Sequence, residues 1–272
     1  MKKDVCVITG GGSGMGLAAA KCMPKEKIIV VTGRTLSKLE GAVKELEALG
    51  YEAYAKTCDT SKREQVRELA EYAAGLGEIK NVINSAGLSP AMAKPEQLIR
   101  VNALGTVYVN EEFSKRMNPG SVIVDISSNS AYILPGFLAS KKVFALADCD
   151  EDKFVQKILS LPNKLKGYKA SGLAYGLSKK FVIWYAAKSA FDLGKKGIRV
   201  CSLSPGLIAT DMGNLEAEEG GSLLKTTAER RMGKPEELGY AIATVADERN
   251  GYLAGVDVLV DGGSVNGKPF VK

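Results

Sequence analysis

The sequence predicts an α/β protein folded as one domain, a doubly wound parallel sheet of about seven strands with helices on both faces. Three observations predict it. Short apolar runs alternate with longer amphipathic ones along the chain, the pattern of strand–helix–strand units. Several of the short runs are apolar throughout, as expected of parallel strands covered on both faces. The first run ends in a glycine-rich turn that leads directly into a helical pattern. A chain of 272 residues suits a single unit of this class, 1–272. It buries enough apolar surface to need no staples.

Taken in order, Val5–Thr9 is the first strand, followed by the glycine turn and the helix-like run Leu17–Cys22. Ile28–Val31 is the second strand. The helix after it, Thr35–Leu49, carries Leu36, Leu39, Val43, Leu46 and Leu49 at helical spacing. Glu52–Thr57, Asn81–Asn84, Val122–Ile126, Arg199–Leu203 and Asp257–Val260 are the remaining strands. Ser61–Gly75, Glu96–Met117, Ala174–Leu193 and Pro235–Asp247 are the remaining helices. Two segments break the rhythm. Asn129–Leu173 is a long connection with helical pieces of its own, notably Asp152–Leu161. Gly213–Thr227 is polar and glycine-bearing and reads as a mobile loop.

Composition narrows the chemistry. The chain has no His, which excludes Ser-His-Asp hydrolysis and His-ligated metals, so acid–base work falls to Tyr, Lys, Asp, Glu or Cys. The five Cys are widely spaced with no C-x-x-C pair, so neither a disulfide framework nor a metal site is expected; Cys6 and Cys201 sit in apolar runs. The net charge of +6 is mild and forms no dense basic stripe, which suits solvated helix faces or an anionic cofactor better than nucleic acid. No signal peptide and no apolar stretch of membrane-spanning length is read, and a cytoplasmic location is expected.

The turn Gly10, Gly11, Gly12, Ser13, Gly14, Met15, Gly16 stands between a strand and a helix. There, backbone N–H groups and the helix dipole suit a pyrophosphate, and the context marks a Rossmann-type dinucleotide site. The second strand ends in Gly33 and Arg34, where an NAD site would place an acid. A guanidinium pairs with a 2′-phosphate that a carboxylate would repel, so NADP(H) is expected rather than NAD(H). Asp59 and Thr60 end the third strand, and Asn84, Ala86 and Gly87 the fourth, on the cofactor side. Asp59 accepts from the adenine amino group or caps the helix near Ser61; the sequence leaves both open.

Thr9, Gly10, Gly14 and Gly16 match T-G-x-x-x-G-x-G, and Tyr175 to Lys179 match Y-x-x-x-K. In this order the two motifs resemble the short-chain dehydrogenase/reductase family, in its shorter branch, across nearly the whole chain. Asn84-Ser85-Ala86-Gly87 is similar to that family's N-N-A-G, with Ser85 as a departure that keeps the turn. Val101-Asn102, Ile126-Ser127-Ser128, Ser204-Pro205-Gly206 with Thr210, and Asp261-Gly262-Gly263 resemble its other segments. The resemblance implies Tyr175 as the proton-transfer residue, Lys179 as the cation that favours its phenolate and binds the nicotinamide ribose, and Asn102 as the holder of a relay water. It implies Ser128 as the group that positions the substrate oxygen, with Ser127 and Ser130 as neighbouring alternatives. It places Pro205, Gly206, Ile208 and Thr210 at the nicotinamide.

Two departures bear on substrate. The stretch from Gly87 to Asn102 is short for the family and the connection from Ser128 to Tyr175 is long. Together they resemble a bacterial subgroup with hydroxysteroid dehydrogenase and carbonyl reductase activities. The expectation is therefore NADP(H)-dependent interconversion of a secondary alcohol and a ketone, a bulky apolar one such as a hydroxysteroid. The alternative is a general carbonyl reductase of small or acyl ketones. A non-catalytic dinucleotide sensor is disfavoured because Tyr175, Lys179, Asn102 and a serine are all present. The apolar insertion 129–173 either packs on the domain or walls the substrate pocket, and 213–227, with Met212 and Leu215, is expected to act as a lid. A homo-oligomer, dimer or tetramer, is implied by the resemblance.

Overall fold

The structure is a computed structural model. It describes residues 2–267, with the side chains of 216–223 outside the described set. Seven strands form one parallel sheet in the order β3-β2-β1-β4-β5-β6-β7. They are β1 Asp4–Thr9, β2 Ile28–Gly33, β3 Glu52–Thr57, β4 Glu78–Asn84, β5 Val122–Ile126, β6 Arg199–Pro205 and β7 Asp257–Val260. The helices are α1 Gly14–Cys22, α2 Leu36–Ala48, α3 Arg63–Leu76, α4 Pro95–Leu98, α5 Gly105–Ser114, α6 Ser130–Ile133, α7 Lys141–Phe144, α8 Glu151–Ile158, α9 Tyr168–Gly194, α10 Asp211–Gly220, α11 Pro235–Ala246 and α12 Ser264–Gly267. All seven expected strands are present. The strand order reverses between β1 and β4, which opens a crevice at their carboxyl ends.

Apolar side chains fill both faces of the sheet. Val5, Val7, Val82, Ile123 and Val200 point into the layer that holds α3, α5 and α9. Cys6, Ile8, Val31, Val124 and Leu203 point into the layer of α1, α2 and α11. The first layer changes character at its upper end. There Thr32, Thr9, Asn84, Asp125, Ser202 and Asp257 are register partners on successive strands. A polar row thus crosses the sheet, at the last residues of β1 and β4 and within or at the start of the other strands. Thr9 Oγ1 donates to Asn84 Oδ1 at 2.9 Å, and Asn84 Nδ2 donates to Asp125 Oδ1 at 3.0 Å. Ser202 Oγ donates to Asp257 Oδ1 at 2.6 Å.

Two expected elements differ. The helix read over Glu96–Met117 is divided: between α4 and α5 the backbone winds as a π-helix, Ile99–Leu104, and α5 ends at Ser114. The π turn contains Asn102, and such widened turns gather at functional sites. The segment Gly213–Thr227 is helical, not a loop: α10 covers its first part and a 3₁₀ helix, Gly221–Thr226, the second.

The insertion 129–173 packs against α3, α5 and α9. Phe154 is fully buried, and its ring lies 5.0 Å from that of Phe181 on α9. Phe144 meets the same ring edge-on at 5.4 Å and also contacts Trp184. Glu151 of α8 accepts from Arg63 of α3 at 3.1 Å and from the Tyr108 hydroxyl of α5. The insertion therefore covers the side of α9 that faces away from the crevice. Among the described residues no helix is long and apolar enough to cross a membrane.

Candidate active site

The glycine turn is fixed by backbone geometry. Gly10 adopts φ +67°, and a Cβ there would stand 3.0 Å from the Ala86 nitrogen. A Cβ at Gly16 would stand 2.5 Å from the Gly10 carbonyl oxygen, so the helix could not approach the strand with any other residue. Thr9 Oγ1 accepts from the Ala86 N–H at 3.0 Å and locks the two turns together. The nine-residue helix α1 then points its N-terminus into the crevice, with no acid in its first turn.

The crevice has two arms that share Gly10, Ser13, Ala86, Gly87 and Leu88. The larger arm, about 630 Å³, runs past Gly14, Met15 and Gly16 to Ser127, Ser128, Tyr175 and Lys179. Pro205, Gly206, Ile208 and Thr210 form its far wall, with Met212 and Gly213 from the start of α10. The smaller arm, about 170 Å³, is lined by Gly12, Arg34, Lys38, Asp59, Thr60 and neighbouring residues. Arg34 and Lys38 are exposed and, among the described residues, have no carboxylate partner. Asp59 closes a turn ahead of α3 without capping it: its Oδ1 accepts from the Ser61 N–H at 3.0 Å and from the Ser61 hydroxyl at 2.7 Å, while α3 starts at Arg63 with Lys62 as its N-cap. It lines the smaller arm, and the helix-cap alternative does not hold.

On α9, Tyr175 and Lys179 share one face, with the Lys179 ammonium 5.8 Å from the centre of the Tyr175 ring. Lys179 Nζ donates to the Ile126 carbonyl at 2.9 Å. Ser127 Oγ donates to the Lys179 carbonyl at 2.7 Å, which commits that hydroxyl to holding the helix. Ser128 Oγ accepts from the Ser130 N–H at 3.2 Å and lies on the cleft wall. Ser127 thus docks α9 through its hydroxyl, and both Ser127 and Ser128 line the cleft with Tyr175. Ser130 is not on the cleft wall.

Two expected site residues stand behind the wall rather than on it. Asn84 is buried and spends its amide on Thr9, Thr106 and Asp125, so it braces the sheet and does not reach the cleft. Asn102 Oδ1 accepts from the Leu88 N–H at 2.8 Å, and its Nδ2 donates to the Leu88 carbonyl at 3.0 Å. A Cβ at Gly87 would lie 3.3 Å from Asn102 Oδ1 and 3.5 Å from Lys179 Nζ, so Asn102 and Lys179 flank the same glycine. No residue of 129–173 lines either arm among the described residues.

Several contributors carried no signal that sequence reading used. Lys38, in the first turn of α2, joins Arg34 in lining the smaller arm. Ser178 donates to the Tyr175 carbonyl at 2.7 Å and meets Asn102 at 3.3 Å. Lys180 caps the short helix α6 through the Ala131 and Leu134 carbonyls at 2.8 and 3.0 Å. Asp125 was visible only as a single acid in an apolar strand.

Comparison with known proteins agrees with this geometry. The sequence profile of the short chain dehydrogenase family matches residues 4–142. A related profile, enoyl-(acyl carrier protein) reductase, matches 159–265. The chain is 28% identical over 270 residues to a short-chain dehydrogenase/reductase, bsc3, of Alternaria brassicicola, covering 97% of each. It is 25% identical over 271 residues to 7alpha-hydroxysteroid dehydrogenase of Escherichia coli K12, covering 95% of this chain and 93% of that one. A short chain dehydrogenase of Burkholderia cenocepacia, solved in complex with NADP, shares the fold at a TM-score of 0.76 and 22% identity, with 97% of each chain covered. With a glycine-turn crevice, a Tyr–Lys pair on its wall and a profile match over half its length, the chain belongs to the short-chain dehydrogenase/reductase family of oxidoreductases.

Proposed function

We infer that this oxidoreductase interconverts a secondary alcohol and a ketone with NADP(H), and that the alcohol is a bulky apolar one such as a hydroxysteroid. The observation that carries the reaction is that Ser128, Tyr175 and Lys179 line one cleft together with Pro205, Gly206, Ile208 and Thr210. The residues present fit a dinucleotide. The Gly10–Gly16 turn leaves an open cradle at a helix N-terminus, and the smaller arm offers two cations where a 2′-phosphate would lie. When bound, the nicotinamide supplies the hydride chemistry.

The chain's own residues do the rest. Ser128 orients the substrate oxygen toward the Tyr175 phenol. Tyr175 gives a proton to a ketone oxygen or takes one from an alcohol. A phenol is a poor base at neutral pH, and the nearby Lys179 charge favours its ionised form. Lys179 is fixed by the Ile126 carbonyl, and its helix by Ser127. Asn102 holds the Leu88 turn against Gly87 beside Lys179, where a relay water would sit. Arg34 and Lys38 read the 2′-phosphate.

The bulky substrate is supported by apolar residues left open around the N-terminal turns of α9. Ser171 Oγ donates to the Ala93 carbonyl at 3.1 Å, which seats the loop bearing the half-exposed Met92 beside α9. Leu134 packs 3.8 Å from the Cβ position of Gly176, next to Tyr175, and Phe137 beyond it is 87% exposed. The sequence relative named for 7alpha-hydroxysteroid chemistry points the same way. The start of α10, with Met212 on the wall and Leu215 half-exposed, is assigned as the substrate-side cover. A cytoplasmic homo-oligomer completes this reading. Its contacts are assigned away from the aromatic face of α9, which the insertion occupies.

The test is turnover with NADPH, and separately NADH, against a panel of ketosteroids and simple ketones, followed by absorbance of the reduced nicotinamide. Steroid turnover with NADPH is expected. Turnover of small ketones alone would remove the steroid assignment, and equal use of NADH would remove the role given to Arg34.

A further inference from the structure

The polar row contains one group that the reaction scheme leaves unused. Asp125 is fully buried at the upper end of β5, among valines and isoleucines. Its two oxygens accept from Asn84 Nδ2 at 3.0 Å and from Asn110 Nδ2 at 2.9 Å. Two amide donors aimed at one carboxyl form a cradle for a carboxylate. Asn110 Oδ1, by contrast, is buried with no hydrogen-bond partner among the described residues, so its amide is turned to serve Asp125 at a cost to itself.

We propose that Asp125 is a positioning residue of the active site: its buried carboxylate balances the charge of Lys179 and so opposes ionisation of Tyr175. The proposal rests on the reading of Tyr175 and Lys179 as the proton-transfer pair. Lys179 Nζ is bonded to the carbonyl of Ile126, the residue after Asp125, and stands 5.8 Å from the Tyr175 ring. Lys179 is thus near both the acid and the phenol, and all three side chains are buried, which weakens the screening of their charges. Lys179 is the cation that faces Asp125. The other titratable groups around it are Tyr185 of α9 and Cys201 of β6; burial pushes both up, so both stay neutral. Ser202, its register partner on β6, gives its hydroxyl to Asp257 instead.

Burial pushes the Asp125 carboxyl up to about 7, against the pull of its two amide donors and of Lys179. Its charge therefore changes in the range where a dehydrogenase works. The sign follows. Below that range Asp125 is neutral and no longer offsets the Lys179 charge, and the Tyr175 phenolate is favoured. Above it the carboxylate offsets Lys179, and the phenol holds its proton more firmly. Asp125 acts as a brake on Tyr175 that engages as pH rises.

The experiment is an ultraviolet-difference titration of the full-length protein, in which the Tyr175 signal is the part lost in Tyr175→Phe. Asp125→Asn is expected to move that signal to lower pH by about one unit, roughly tenfold in the ionisation constant. Asn110→Leu removes one donor from the carboxylate, keeps it protonated to higher pH, and is expected to give a smaller shift in the same direction. In a Lys179→Met background the Asp125→Asn shift is expected to disappear, which a merely structural role would not produce. A Tyr175 titration unmoved by both substitutions overturns the proposal, and so does a shift that persists without Lys179. If Asp125→Asn does not fold, Asn110→Leu decides alone. Turnover of Tyr175→Phe tests the underlying proton-transfer reading separately, since the titration needs no substrate.

Discussion

The turn Gly10–Gly16 lines the crevice and the insertion 129–173 packs against the helix that carries Tyr175, and the two are held in opposite ways. The turn is held by backbone sterics: Gly10 needs its positive φ, and Gly16 has no room for a Cβ. The insertion is held by side-chain volume: Phe144 and Phe154 fill a cluster with Phe181 and Trp184. The first arrangement tolerates almost no substitution and positions a ligand. The second tolerates any sequence that fills the space, and it steadies α9 without entering the cleft. Only Tyr175 and Lys179 depend on both, because α9 carries them on one face and the insertion on the other.

The sharpest test of that division is Tyr175→Phe. It removes a hydroxyl and nothing from the packing, so turnover is expected to fall ~10³-fold with cofactor binding and thermal stability nearly unchanged. Substantial residual turnover would take the proton transfer away from this residue. Phe154→Ala is the complementary change. It empties a fully buried site in the insertion, with an expected cost of about 3–5 kcal/mol in denaturant unfolding. At temperatures where the variant remains folded, kcat and KM should be close to those of the parent. A matching loss of kcat in the folded variant would mean that the insertion shapes the site after all.

The same contrast explains what the sequence revealed. Glycine spacing and the apolar strand runs follow from local sterics and burial, so the seven strands and the turn were legible, with Glu52–Thr57, Val122–Ile126 and Asp257–Val260 bounded as read. The π-helix at Asn102 was not, because a slip in hydrogen-bond register leaves no residue pattern. Helix α10 lies where the sequence reads as a loop, because Gly213 and its acidic neighbours lack an apolar period. Asn84 was placed with the cofactor because strand ends face the crevice; its side chain points down the polar row instead. That Ser127 ties β5 to α9 through its hydroxyl was not legible either, because the contact joins residues distant in sequence.

Arg34→Ala probes the smaller arm, where binding depends on charge rather than sterics. One charge-assisted contact to a phosphate is worth roughly 1.5–3 kcal/mol. The expected effect is therefore about a 10- to 100-fold weaker Kd for NADPH by fluorescence titration, with NADH nearly unaffected. Lys38, which lines the same arm, would soften the loss, and Arg34→Ala with Lys38→Ala should exceed either alone. Equal weakening of both cofactors would mean that Arg34 shapes the turn and does not read a phosphate.

The smallest expected effect belongs to Phe137, and it bears on whether the insertion has any share in substrate binding. Its side chain is 87% exposed, so it contributes little to folding, and Phe137→Ser should change stability by less than about 0.5 kcal/mol. The 3₁₀ turn that carries it follows Leu134, which packs against Gly176 beside Tyr175. A steroid lying partly over that turn would cover only a fraction of the ring. Against roughly 1.5–3 kcal/mol for full burial of such a side chain, that leaves well under 1 kcal/mol. KM for a ketosteroid is therefore expected to rise about threefold, with KM for cyclohexanone unchanged. An equal rise for both ketones would place the effect in the frame of the site. No change for either would confine the insertion to packing, and would leave Met92 and the start of α10 as the apolar surfaces available to a bulky substrate.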